Sequence, residues 1–219
     1  MFSNPFTESV MMTHELGLDL EERIVYLLGE LGGEDDHGAA AIQNIRFLTS
    51  AKRFPDTYRE PIRLVIDSPG GSDVTMLHLY DTMLASPAPI WTVGCGEVCS
   101  AATLILVAGA KRFAQDNCFF MTHKGKVVID GDEDEVAAQA ALHKRISDRY
   151  WRLMERHTKL TASEWFAKSK SKGELWLGVD KMLEYGVIDE RIEPMQTWPP
   201  LSTKPLRSKK HEDEDSGDE

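Results

Sequence analysis

The chain has 219 residues, with 36 Asp and Glu against 25 Lys and Arg, for a net charge of −11. That length holds one large domain or two small ones and buries enough surface to fold without disulfide staples. The acidic balance excludes the basic footprint of a nucleic-acid binder and attraction to an anionic membrane, and three cysteines with no CxxC pair predict free thiols in a reducing cytoplasm.

Residues 1–15 lack the basic and apolar regions of a secretory signal, and residues 1–20 are predicted to form an N-terminal arm, loose over 1–18. Runs rich in β-branched residues at 23–28, 62–67 and 90–94 predict buried parallel strands. Helical segments follow each of them, at 38–50, 73–84 and 100–108. This alternation predicts an α/β core. The longest apolar run, 101–110, is interrupted by Thr103 and Gly109 and falls short of the ~20 residues that span a bilayer. Further short strands are predicted at 118–123 and 126–129.

A long helix is predicted over 133–157. Acids at 132–135 suit its N-terminus, and Leu142, Ile146, Tyr150 and Leu153 make one apolar stripe. At 1.5 Å per residue it would be ~37 Å long, long enough to project from a small domain and need something to pack against. Thr161-Ala-Ser-Glu164 reads as a capping box opening a short helix. A last helix at 179–185 stops at Gly186, a C-terminal cap, and a final strand follows at 187–192. Residues 196–219, basic and then strongly acidic, predict a disordered tail.

Two loops carry candidate chemistry. Asp67-Ser-Pro-Gly-Gly-Ser72 lies between a strand and a helix. Its glycines permit positive φ and close approach of another chain to their N–H groups; the plain alternative is a tight turn. Gly94-Cys-Gly-Glu-Val-Cys-Ser100-Ala-Ala102 places a serine hydroxyl beside the free N–H groups of a helix start. That position suits a nucleophile whose substrate becomes an oxyanion, or a simple N-cap. Among seven histidines, His123 stands apart because it ends an apolar strand, where α/β folds bind ligands. For a third member the acids Glu174, Asp180 and Asp189 all remain open.

Taken together, Ile66-Asp-Ser-Pro-Gly-Gly71, Tyr80-Asp-Thr-Met83, Gly96-Glu-Val-Cys-Ser100-Ala-Ala-Thr-Leu-Ile-Leu-Val-Ala-Gly-Ala110, Lys111-Arg-Phe113, Met121-Thr-His123 and Glu184-Tyr-Gly-Val-Ile-Asp189 resemble the proteolytic subunit family of caseinolytic Clp proteases (ClpP). Order and spacing agree over about residues 21–192. The resemblance implies a ClpP/crotonase-like superhelix of β-β-α units over 21–195, with 133–157 as a projecting handle helix. It implies a serine endopeptidase with Ser100 as nucleophile and His123 as general base. Counting back eleven residues from Tyr185 places Glu174 on the family's aspartate, which lies in a loop. Gly70 and Ala101 fall on the oxyanion hole, and Gly71 and Gly125 on the path of an extended substrate. No metal or organic cofactor is implied. Partners implied are further copies of the chain in paired seven-membered rings, an AAA+ unfoldase, and unfolded polypeptides.

The sequence departs from the family pattern at Ala102, where glycine is usual, at Lys124-Gly125, where Gln-Pro is usual, at Glu174, and in an extra stretch near 52–60. Three other readings compete: a catalytically inactive ring subunit, a crotonase-type acyl-CoA enzyme, and a serine–lysine peptidase using Lys111 or Lys124 as base.

Overall fold

The computed structural model describes residues 5–125 and 128–192. In chain order the elements are α1 (Pro5–Leu16), β1 (Leu18–Asp19), β2 (Ile24–Leu28), α2 (His37–Leu48), β3 (Ile62–Ser68), α3 (Asp73–Ala85), β4 (Ile90–Cys99), α4 (Ala102–Val107), β5 (Lys111–Gln115), β6 (Phe119–His123), α5 (Glu133–His157), α6 (Ala162–Lys172), β7 (Glu174–Leu177), α7 (Val179–Tyr185) and β8 (Glu190–Ile192). The α/β class expected from the alternation is the one observed.

The three β-branched runs become the parallel centre of the sheet, with β2 beside β3 and β3 beside β4. Their side chains are buried almost throughout: Val25, Leu27, Ile62, Leu64, Ile66 and Val93 have essentially no exposed surface. Helices α2, α3 and α4 cover the sheet through Ile42, Ile45, Leu79 and the six residues of α4, every one of which is buried. At about 25 cal/mol per Å² of apolar surface removed from water, this core supplies most of the favourable folding free energy.

Strand β4 positions the rest. Its first part, Trp91 to Gly94, pairs with β5. Its last part, Glu97 to Cys99, pairs with β6. Between them the register against β3 jumps, from Ile66↔Gly94 to Ser68↔Val98. Such a bulge bends a strand and increases its twist. Gly96 takes φ +51, and Asp67 pins the bend by accepting the Glu97 N–H at 3.0 Å. The sheet therefore forks. One branch runs through β5 to β8, and the other through β6 to the antiparallel β7.

Several expectations are corrected. The N-terminal arm is not loose where described. Residues 5–16 form α1, Leu18 is buried, and β1 pairs with β2. Asn44 Nδ2 donates to the Leu16 carbonyl at 2.7 Å, a link from α2 that no local pattern announces. The helix expected from Ser100 begins instead at Ala102. The strand expected at 126–129 is not formed at Val128 and Ile129, and residues 126 and 127 lie outside the described residues, as does the expected tail. The final strand is shorter than expected, and β5 and β7 were not foreseen as strands. The expected capping box at Thr161/Glu164 forms, a second one is found at Asp132/Glu135, and Gly186 caps α7 at φ +71. In α5 only Tyr150, Trp151, Leu153 and Met154 are buried. Of the expected stripe, Ile146 is half-buried and Leu142 is 49% exposed.

Candidate active site

The fork in β4 carries Ser100 to the end of β6. The Ser100 N–H donates to the Met121 carbonyl at 2.7 Å, continuing the β4–β6 ladder by one bond. The chain then turns sharply, and Ser100 adopts φ +52, one of two positive values outside glycine among the described residues. A non-glycine residue in that region carries strain of order 1–3 kcal/mol and is held there by its surroundings. The turn aims the hydroxyl at the last residue of β6. Ser100 Oγ and His123 Nε2 are 2.8 Å apart.

Gly70 fits closely against this turn. At φ +96, a Cβ on it would lie 2.6 Å from the Cys99 carbonyl oxygen, 2.7 Å from Ser100 Cβ and 2.9 Å from the Ala101 nitrogen. Only glycine lets the two loops meet this way. Gly70 and Ala101 are thus brought together beside Ser100. The Gly70 N–H donates to Ser68 Oγ at 3.2 Å. The neighbouring backbone is fixed by Leu31, whose N–H donates to the Gly70 carbonyl and whose carbonyl accepts from Ser72. In a parallel bridge of this kind, the N–H and C=O of Gly71 face away from Leu31.

Glu174 lies not in a loop but in β7, directly opposite His123 in the antiparallel register. Residues so paired have side chains on one face with Cβ atoms about 4.5–5.5 Å apart. The Glu174 carboxylate accepts from Trp176 Nε1 at 3.2 Å, whereas His123 Nδ1 is buried without a hydrogen bond. The other two candidate acids are engaged elsewhere. Asp189 pairs with Arg112 at 2.5 Å, and Asp180 with Arg191. Of the candidate lysines, Lys111 stacks over the Trp91 ring at 4.5 Å, and Lys124 is exposed.

A narrow cleft of about 30 Å³ opens at the pair and is lined by Asp73, Gly125, His143, Ile146 and Trp151 among others. Gly125 faces the His143 ring. Asp73 and His143 were not singled out by sequence reasoning, which sought an acid only beyond His123 and set His123 alone apart among the histidines. Burial raises the Asp73 carboxyl, and the nearby His143 and His123 oppose that shift. The three cysteines are free. Cys99, next to Ser100, is pushed up to about 12 by burial first and by Glu97 second. It is therefore a protonated thiol at neutral pH and not a competing nucleophile.

A strained serine, bonded through its hydroxyl to a histidine and set beside backbone N–H groups on an α/β scaffold, has the arrangement of the nucleophilic hydrolases. Comparison with known proteins narrows this class. The Clp protease family matches residues 11–195. The chain is similar to ATP-dependent Clp protease proteolytic subunit 1 of Rhodopirellula baltica, with 33% identity over 178 residues, covering 79% of this chain and 73% of the relative. It is also similar to ATP-dependent Clp protease proteolytic subunit 3 of Frankia casuarinae, with 31% identity over 175 residues, covering 79% and 78%. The chain belongs to the Clp protease family. Among the described residues, no helix is long and apolar enough to cross a membrane.

Proposed function

We propose that this chain is a serine endopeptidase that cleaves extended polypeptides inside a ring-shaped assembly of its own copies. The observation that carries the reading is the 2.8 Å contact between Ser100 Oγ and His123 Nε2. With Nε2 as acceptor, His123 takes the hydroxyl proton as Ser100 attacks the peptide carbonyl. The Ala101 N–H and, once released from Ser68, the Gly70 N–H donate to the developing oxyanion. His123 then gives its proton to the leaving amine. Water hydrolyses the acyl-enzyme by the same steps in reverse order.

Glu174 orients the imidazole. In the resting arrangement its carboxylate rests on Trp176, and a rotation about its own side chain brings it to Nδ1, because the sheet register already sets the two residues face to face. The Nδ1 proton then has an acceptor, which fixes the tautomer with Nε2 free to act as base. An extended substrate pairs with the outward edge of Gly71 and with the segment at Gly125, adding a strand by backbone hydrogen bonds. That mode reads little sequence, so cleavage is broad. An AAA+ unfoldase supplies the unfolded chain, in keeping with the ATP dependence in the names of the relatives.

A second reading, a catalytically inactive ring subunit, is favoured by the unbonded His123 Nδ1. Reaction with a fluorophosphonate probe separates the two. The wild-type chain should be labelled, and Ser100→Ala should lose both labelling and peptide hydrolysis, by as much as ~10⁶ in rate. Hydrolysis by Ser100→Ala above a tenth of wild type would remove Ser100 from its role, and an unlabelled wild-type chain would favour the inactive subunit.

A further inference from the structure

The buried hydroxyl of Tyr150 lies where three elements meet. It is 2.6 Å from Thr103 Oγ1 on α4 and 2.8 Å from Thr122 Oγ1 on β6. Thr122 immediately precedes His123. Thr103 Oγ1 in turn donates to the carbonyl of Ser100, which also accepts the Thr103 N–H at 3.1 Å. Tyr150 itself belongs to α5, and its residue is only 9% exposed.

Counting protons fixes the sense of this chain. A threonine hydroxyl has one proton, and that of Thr103 goes to the Ser100 carbonyl. Toward Tyr150, Thr103 Oγ1 is therefore an acceptor, so the tyrosine donates. Having given its own proton, Tyr150 accepts from Thr122. The order is Thr122 to Tyr150 to Thr103 to the Ser100 carbonyl, with every bond in one direction. Bonds so aligned polarise and strengthen one another in a buried setting. Burial pushes the Tyr150 phenol up to about 12, so it keeps its proton and stays a donor at neutral pH.

We infer that Tyr150 is a positioning residue for the catalytic pair, holding the strained turn at Ser100 and the end of β6 at His123 in one fixed relation through Thr103 and Thr122. Neither Tyr150 nor the threonines exchange protons with substrate. Ser100 needs such a clamp because its backbone sits at φ +52, a conformation that relaxes unless both its ends are held. Its N–H is held by Met121 and its carbonyl by Thr103. Without Tyr150, Thr103 loses the bond that orients it, and Thr122 is left a buried hydroxyl without an acceptor.

The inference rests on Ser100 being the nucleophile, and the test keeps the two apart. Tyr150→Phe retains the ring that lines the cleft and removes both hydrogen bonds. The rate of acylation by a fluorophosphonate and kcat on a short peptide should fall roughly tenfold, the effect of one modest buried hydrogen bond on a barrier, while KM stays unchanged. Thr103→Val should reproduce the loss, and Thr103→Ser, which keeps the hydroxyl, should rescue it. The double variant Tyr150→Phe/Thr103→Val should be no slower than the worse single one, since both interrupt the same chain. Labelling lost in Ser100→Ala but unchanged in Tyr150→Phe would overturn the positioning role and spare the nucleophile. Labelling retained in Ser100→Ala would overturn the nucleophile itself. Losses that multiply in the double variant would also refute the chain. Should Tyr150→Phe fail to fold, Thr103→Val against Thr103→Ser decides alone: equal rates in those two would refute it.

Discussion

Gly70→Ala separates backbone strain from crowding of the reactive turn. The new methyl carbon would lie 2.7 Å from Ser100 Cβ, against about 3.5 Å for an unstrained carbon–carbon contact. The two loops must part by about 0.8 Å. The other close atoms are the Cys99 carbonyl oxygen and the Ala101 nitrogen, both backbone, so no side-chain rotation relieves the clash. A misplacement near 1 Å at reacting groups costs about 10²-fold in rate. The positive φ adds about 1–2 kcal/mol of strain for an L-residue, and overpacking adds roughly 1–3 kcal/mol. Gly33 supplies the control. It has φ +90 with nothing within 4 Å of a built Cβ, so Gly33→Ala carries the strain alone. Urea unfolding should show both variants destabilised, with Gly70→Ala the worse. Peptide hydrolysis should fall about 10²-fold only in Gly70→Ala. Equal activity in the two would refute the argument that Gly70 exists to let Ser100 and Ala101 approach.

Three further outcomes are expected. Glu174→Gln should lower kcat on a short peptide by roughly 10²-fold or more, the result of neutralising the acid behind a catalytic histidine, and a larger loss in Asp180→Asn would show that the wrong acid was chosen. Light scattering should give a mass several times the 24.6 kDa of one chain, and Leu142→Asp on the exposed part of α5 should reduce it; a wild-type monomer would contradict the ring. Burial acts to raise the Asp189 carboxyl, but the hydrogen bonds and charge of Arg112 outweigh it and leave the folded value lowered. Its stabilising contribution is therefore complete above the unfolded carboxylate value near 3.9 and is lost as pH falls through the lower folded value. Asp189→Asn should be less stable than wild type at pH 7 by urea unfolding, with the gap closing in strong acid; a gap independent of pH would exclude this pair as its source.

Where local pattern and burial coincide, the sequence was readable. The runs at Ile24, Ile62 and Ile90 announced parallel strands because both sides of each are covered. The acids at 132–135 and the capping box at Thr161 marked where two helices start. Ser100 and His123 could be nominated from their places at strand ends, but their contact depends on the fork in β4. That fork arises from a bulge at Cys95-Gly96-Glu97 held by Asp67, thirty residues away from Glu97. Long-range pinning of this kind leaves no periodic trace. Strand β7 escaped for a related reason: Glu174-Leu-Trp-Leu177 is only four residues long and is defined by its partner β6. Glu174 was reached by counting within a resemblance, which placed it in a loop rather than in a strand opposite His123. Tyr150 was visible only as one member of an apolar stripe, because a phenol at a helical spacing gives no hint that two threonines from separate elements converge on it.

The uneven burial of α5 divides one continuous helix into two segments of different opening free energy. From Glu133 to Arg149 no side chain is buried, and the ten residues up to Leu142 are all exposed, while Tyr150, Trp151, Leu153 and Met154 are buried. A helix segment of about a dozen residues without tertiary packing is marginal in water. In an isolated chain, the outer turns are held by the capping box at Asp132 and the Lys144–Asp148 ion pair at 2.6 Å, the latter exposed and worth about 0.3–0.5 kcal/mol. Backbone amides there should exchange with solvent at nearly the rate of a free peptide, while those beyond Tyr150 open only with the core. Slowing of the outer amides then reports directly on whatever comes to cover them, so α5 serves as an internal gauge of assembly that needs no attached label.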